Sequence, residues 1–151
     1  MPFLERLRTL GRWAVAAGMA VAGTGHFVAT EAFLGQTPDF LPFRREIVWV
    51  SGVVELGFAV ALLVLPRHRR LVGRLLALFY VAIFPGNLYQ ALAGTSTFGL
   101  DTPAERWMRL LFQPVLVVAA LWVTSGEGYH RSAEDAVRRP DPAADEEERS
   151  R

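Results

Sequence analysis

Cysteine is absent from the 151 residues, so the chain forms no disulfide, offers no thiolate nucleophile and holds no cysteine-ligated cluster. Lysine is absent too. Every basic side chain is arginine, which removes Schiff-base catalysis. Any redox chemistry must therefore run on a bound cofactor or a partner. The formal net charge is only +1, and the arginines cluster beside apolar runs instead of interleaving with aromatics, which argues against nucleic acid. Histidine is scarce, and His26, Glu31 and Glu55 lack a diagnostic ligand spacing, so no metal site is expected. Residues 125–151 have high charge and few apolar residues, and are expected to form a disordered tail without chemistry, dispensable for folding.

What the chain does have is hydrophobicity, 52% of it, gathered into four runs. Residues 46–65, EIVWVSGVVELGFAVALLVL, are apolar except for Glu55 at the middle. A helix of about 20 residues matches a hydrocarbon core of about 30 Å, so this stretch reads as a transmembrane helix. A carboxylate at the bilayer centre needs a partner or a proton. Similar runs predict helices at about 13–34, 71–93 and 104–124, behind a basic lead at 1–12. An all-α, four-helix transmembrane bundle with a charged tail is the expected fold. The arginine-rich start and Ala20-Val21-Ala22 also suit a cleaved signal peptide, but the run continues to Phe27 and the other segments favour an uncut helix. Gly11, Gly18 and Gly25 recur every seventh residue, as close helix packing in lipid requires.

Orientation follows from arginine. The lead, the PRHRRLVGR connection at 66–74 and the tail hold most of it, whereas the loops at 35–45 and 94–103 hold only Arg44 and Arg45. The positive-inside rule then places both termini in the cytoplasm, with Trp13 and Trp122 at the inner interface and Trp49 and Trp107 at the outer one. Counting from the helix midpoints, Glu55 and Gln113 lie near the centre, His26 about 4 Å outward, and Asn87 and Arg109 about 7 Å outward. Ser51, Gln90 and Glu31 are farther out on the same side. Ser51 and Glu55 share a face, as do Arg106, Arg109 and Gln113, and Tyr80, Phe84, Asn87 and Ala91. Turned inward, these faces make a polar pocket that opens outward. Plainer roles compete with binding. Glu55 can be a structural ion pair with Arg109 or a hydrogen bond to His26; Asn87, Gln90 and Gln113 can satisfy carbonyls freed by Pro85 and Pro114; Arg106 can snorkel; Glu105 can pair with Arg109.

GTGHF at 23–27, WVSGVVELGFAVALLVLP at 49–66, FPGNLYQAL at 84–92 and RLLFQPVLVVAALW at 109–122 resemble the DoxX-like family of small four-helix membrane proteins. The likeness covers residues 13–124. It implies a subunit or accessory of a membrane oxidoreductase system, with a quinone as candidate cofactor and His26, Ser51, Glu55, Asn87, Arg109 and Gln113 as the residues to carry over. On this reading Glu55 is the buried acid or proton carrier and His26 its relay partner. Arg109 is the counter-charge, while Ser51, Tyr80, Asn87, Gln90 and Gln113 bind a small amphipathic or quinone-like molecule. The expected location is the plasma (inner) membrane, and homo-oligomerisation stays open. Two other functions compete: a non-enzymatic scaffold whose polar cluster is internal glue, and a small transporter or proton pathway, which four helices without a clear inverted repeat disfavour.

Overall fold

A computed structural model describes residues 2–125 and is all-helical. The expected disorder of the tail lies outside the described residues.

Helix α1, Pro2–Val28, absorbs the basic lead: Leu, Arg and Glu are good helix formers, so residues 2–12 are its first turns and not a separate segment. The predicted single helix 13–34 is broken at Ala29, where φ is −130°. Thr30 causes the break to hold. Its hydroxyl donates to the carbonyls of His26 (2.8 Å) and Phe27 (3.2 Å), competing with the backbone for them. The chain resumes as α2, Thr30–Leu34. A loop follows, wired by Arg44, which donates to the carbonyls of Leu34 (2.7 Å) and Thr37 (2.8 Å) and pairs with Asp39 (2.7 Å). Arg45 pairs with Glu31 at 2.7 Å. The two arginines of this loop are thus neutralised locally, which sharpens the charge asymmetry between the two ends.

Helix α3, Arg44–Val64, leads through a 3₁₀ turn, Pro66–His68, into α4, Arg69–Ala93, which stops at Gly94 with φ 70°, the left-handed conformation glycine takes freely. Helix α5, Pro103–Thr124, opens with a capping box between Thr102 and Glu105 and with proline at its first position. Glu105 is spent on that cap, accepting from the Thr102 amide at 2.8 Å, so the expected pairing with Arg109 is replaced. Nor does Arg106 snorkel. It is buried and donates to the carbonyls of Leu100 and Asp101, because the loop before α5 folds back over it.

The long helices pack as two pairs, α1 with α3 and α4 with α5, with thinner contact between pairs. At the α1–α3 crossing a side chain at Gly23 would begin 2.9 Å from the Gly52 carbonyl oxygen. That crossing takes over part of the role expected of Gly11, Gly18 and Gly25: Gly11 does pack, against Val123, but a side chain at Gly18 would meet nothing within 4 Å among the described residues. The end bearing the 3₁₀ turn is closed by a core that includes Ala16, Met19, Leu62, Leu76 and Ala120. At the other end the loops meet, Gly35 lying against Thr95 and Thr97. Among the described residues three helical stretches are long and apolar enough to cross a membrane: Arg44–Val64, Pro66–Ala93 and Pro103–Thr124. α1 is poorer in large apolar side chains, being rich in Ala and Gly and interrupted by Arg12 and His26. Val50, Val53, Leu78, Leu111 and Val118 face outward while Glu55, Gln113 and Asn87 are buried, an arrangement suited to a lipid bilayer.

Candidate functional site

Between the two helix pairs, on the loop side of the apolar core, lies a cavity of about 890 Å³. The Gly23–Gly52 crossing lets α1 and α3 approach until His26 Nδ1 is 3.4 Å from Glu55 Oε2. That nitrogen also sits 2.8 Å from the Ala22 carbonyl oxygen. A carbonyl only accepts, so Nδ1 carries a hydrogen and spends it there. Glu55, 6% exposed, is left with Oε2 lacking any hydrogen-bond partner among the described residues. Ser51, one turn away, lines the same wall.

The opposite wall is α4 and α5. Gln113 donates to the Tyr80 carbonyl (2.6 Å) and accepts from Asn87 (2.8 Å), joining the two helices where proline interrupts both. Pro85 removes the usual donor to the Val81 carbonyl, and the cross-helix donor comes from α5, where Gln113 takes the neighbouring carbonyl of Tyr80. Tyr80 is buried and its hydroxyl lies 3.1 Å from Met19 Sδ, across the gap between the pairs.

Arg109 closes the loop end. Its guanidinium donates to Gln36 Oε1 (2.8 Å) and Gln90 Oε1 (3.2 Å) and stands 5.3 Å over the Phe98 ring. It is therefore a tie between α5, α4 and the loop after α2, and no ion pair joins it to Glu55 among the described residues. Gln90 is only 1% exposed and does not line the cavity. Its amide donates to Thr97 Oγ1 (2.5 Å) and the Thr95 carbonyl (3.4 Å), so it anchors a loop in place of the expected ligand contact.

His26, Ser51, Glu55, Tyr80, Asn87, Arg109 and Gln113 all border one cavity. Among the cavity residues that the sequence reading did not single out are Phe33 and Gln36. Phe33 stacks on His26 with centroids 3.8 Å apart, and Gln36 has a buried Nε2 without a partner among the described residues. Both follow the break at Ala29, where helical periodicity no longer says which way a side chain points. Chemically the site offers an unpaired acceptor at Glu55, an unpaired donor at Gln36 and apolar walls between them.

Neither the curated proteins nor the solved structures contain a match to this chain. A family model does match, over residues 15–124, which takes in all the helices that border the cavity except the first part of α1, and the chain belongs to that family, described as a domain of unknown function, DUF8561.

Proposed function

We propose that the protein is a four-helix, DoxX-like plasma-membrane protein with both termini in the cytoplasm, binding a small amphipathic or quinone-like molecule as a subunit or accessory of an oxidoreductase system. The observation that carries this reading is Glu55 Oε2, buried at a cavity wall without a hydrogen-bond partner among the described residues. Leaving a buried acceptor unmade costs about 1–3 kcal/mol, so a ligand donor there regains what the fold forgoes. The residues fit a quinone-like head group, whose oxidised form would accept a hydrogen bond from Gln36 and whose reduced form would donate a hydroxyl to Glu55. When bound, such a group supplies reversible electron and proton transfer. The chain's own part is to hold the head between apolar walls and take or return a proton at Glu55.

The alternative of a scaffold with internal glue is favoured by one observation, the Arg109–Gln36–Gln90 tie across three elements. Glu55 decides between them. Glu55→Gln should leave thermal stability within about 1 kcal/mol, because the carboxylate has no ion pair with Arg109 to lose. The small molecule extracted with the purified wild-type protein should be missing from the variant. Coupling between Glu55→Gln and Arg109→Gln should stay below about 0.5 kcal/mol; a value above about 2 kcal/mol means a structural ion pair and sinks the proposal.

Topology has its own test, simplified by the absence of native cysteine. Thr97 is engaged by Gln90, so the exposed neighbour Ser96 is the better reporter for that loop, with His68 for the opposite turn. Ser96→Cys should react with an impermeant maleimide from outside the cell and His68→Cys only after permeabilisation. The reverse pattern contradicts the orientation.

A further inference from the structure

We propose that the cavity is entered sideways, from the lipid, through the gap between α1 and α5. Its ligand is then a single-chain amphiphile whose uncharged, hydroxyl-bearing head meets Glu55 while its hydrocarbon chain passes out between Ala22 and Phe112. This rests on reading the cavity as a binding site, and adds the route and the chemical class.

The two helices touch where Gly11 lies against Val123, a side chain there beginning 2.8 Å from Val123 Cγ1. Two turns farther along α1, at Gly18, a side chain would meet nothing within 4 Å among the described residues. Ala14, Gly18 and Ala22 are spaced by four, so the face of α1 toward the opening carries almost no side chain and lines the cavity directly. Outside it runs a groove of about 670 Å³, bordered by Phe33, Phe98, Leu100, Met108 and Phe112. Groove and cavity share Ala22, Phe33, Arg109 and Phe112, so the two adjoin, and the proposed corridor runs past these side chains from the outer face of α5 toward Glu55.

The head follows from the two unpaired groups the corridor leads to. Glu55 Oε2 lacks a donor and Gln36 Nε2 lacks an acceptor among the described residues, and a hydroxyl-bearing head supplies the donor that Glu55 lacks. A charge is excluded by the route, since carrying one through hydrocarbon is costly. A chain is required by the groove, whose aromatic and thioether walls offer dispersion contacts and, apart from Glu105 and Arg109 at its rim, few hydrogen bonds.

The test uses the full-length protein in phosphatidylcholine vesicles, irradiated with a long-chain primary alcohol that carries a diazirine on its chain, with adducts mapped by mass spectrometry. Adducts should concentrate on Ala22, Met108 and Phe112. Labelling there should fall more than about tenfold in Gly18→Leu and in Met108→Trp, each of which fills part of the corridor. Gly18→Leu adds its side chain to open space and Met108 is 57% exposed, so both variants should fold as the parent does. Adducts spread evenly over outward positions such as Val53, Leu78 and Val118, or unchanged in both variants, overturn the lateral route. Phenol, which can reach the cavity from water, tests the pocket separately by saturation-transfer NMR. Phenol that binds the wild type and is lost in Glu55→Leu leaves the pocket standing even where the route fails; phenol indifferent to Glu55→Leu overturns both.

Discussion

Valine in place of Gly52 is expected to lower stability by about 3 kcal/mol, the upper part of the range for overpacking a tight interface. Its Cβ would begin 2.7 Å from His26 Cβ, 2.9 Å from the Gly23 carbonyl oxygen and 2.9 Å from Phe27 Cε2. A backbone oxygen and a Cβ cannot rotate aside as the end of a flexible side chain can, so α1 and α3 must move apart as bodies. Close packing is the main attraction between helices in lipid, where burying apolar surface gains little. The damage should therefore extend along the whole pair. Gly57 on the same helix supplies the control. Nothing lies within 4 Å of its prospective side chain among the described residues, so Gly57→Val should stay near the parent. Reversible unfolding in mixed micelles measures both; equal losses at the two positions mean that the crossing is not where the structure puts it.

Gln113→Leu is expected to cost about 2 kcal/mol. It removes two interhelical hydrogen bonds at once, and such bonds in membrane proteins are worth about 0.6 kcal/mol on average and up to about 1.7. It also leaves the Asn87 amide buried without its acceptor. Adding Asn87→Leu should recover part of the loss, because the orphaned donor goes with its partner. A double variant as unstable as the sum of the single ones contradicts this, since coupled residues do not add. The same unfolding assay, applied to the four chains of the cycle, gives the answer.

Helix content and the inward faces were legible in the sequence because each rests on local chemistry. Apolar runs announce helices, and spacing by three and four puts Ser51 beside Glu55 and Tyr80 on one face with Asn87. Periodicity names a face and not a partner. Arg109 shares its helix with Gln113, yet it reaches Gln36, far away in sequence, because the loop after α2 is carried over the cavity by a turn that no repeat encodes. The break at Ala29 was equally hidden: one hydroxyl, Thr30, outweighs an otherwise continuous apolar run by taking two carbonyls the helix would have used. Depth along the helix puts Gln90 in the outer half with the other intramembrane polar residues, on the expected ligand side. Its amide turns instead to the loop that Gly94 begins.

Each closely packed pair is nearly contiguous along the chain, α1 with α3 before the 3₁₀ turn and α4 with α5 after it. During synthesis the whole first pair, carrying His26 and Glu55, leaves the ribosome ahead of the second. The acid thus meets its imidazole early and waits for the far wall, with Asn87 and Gln113, to be built opposite it. Halves divided at the turn and expressed together offer the direct measurement of that order: if each pair is a unit of assembly they reunite in the membrane, and if the acid is stable only inside a finished cavity they do not.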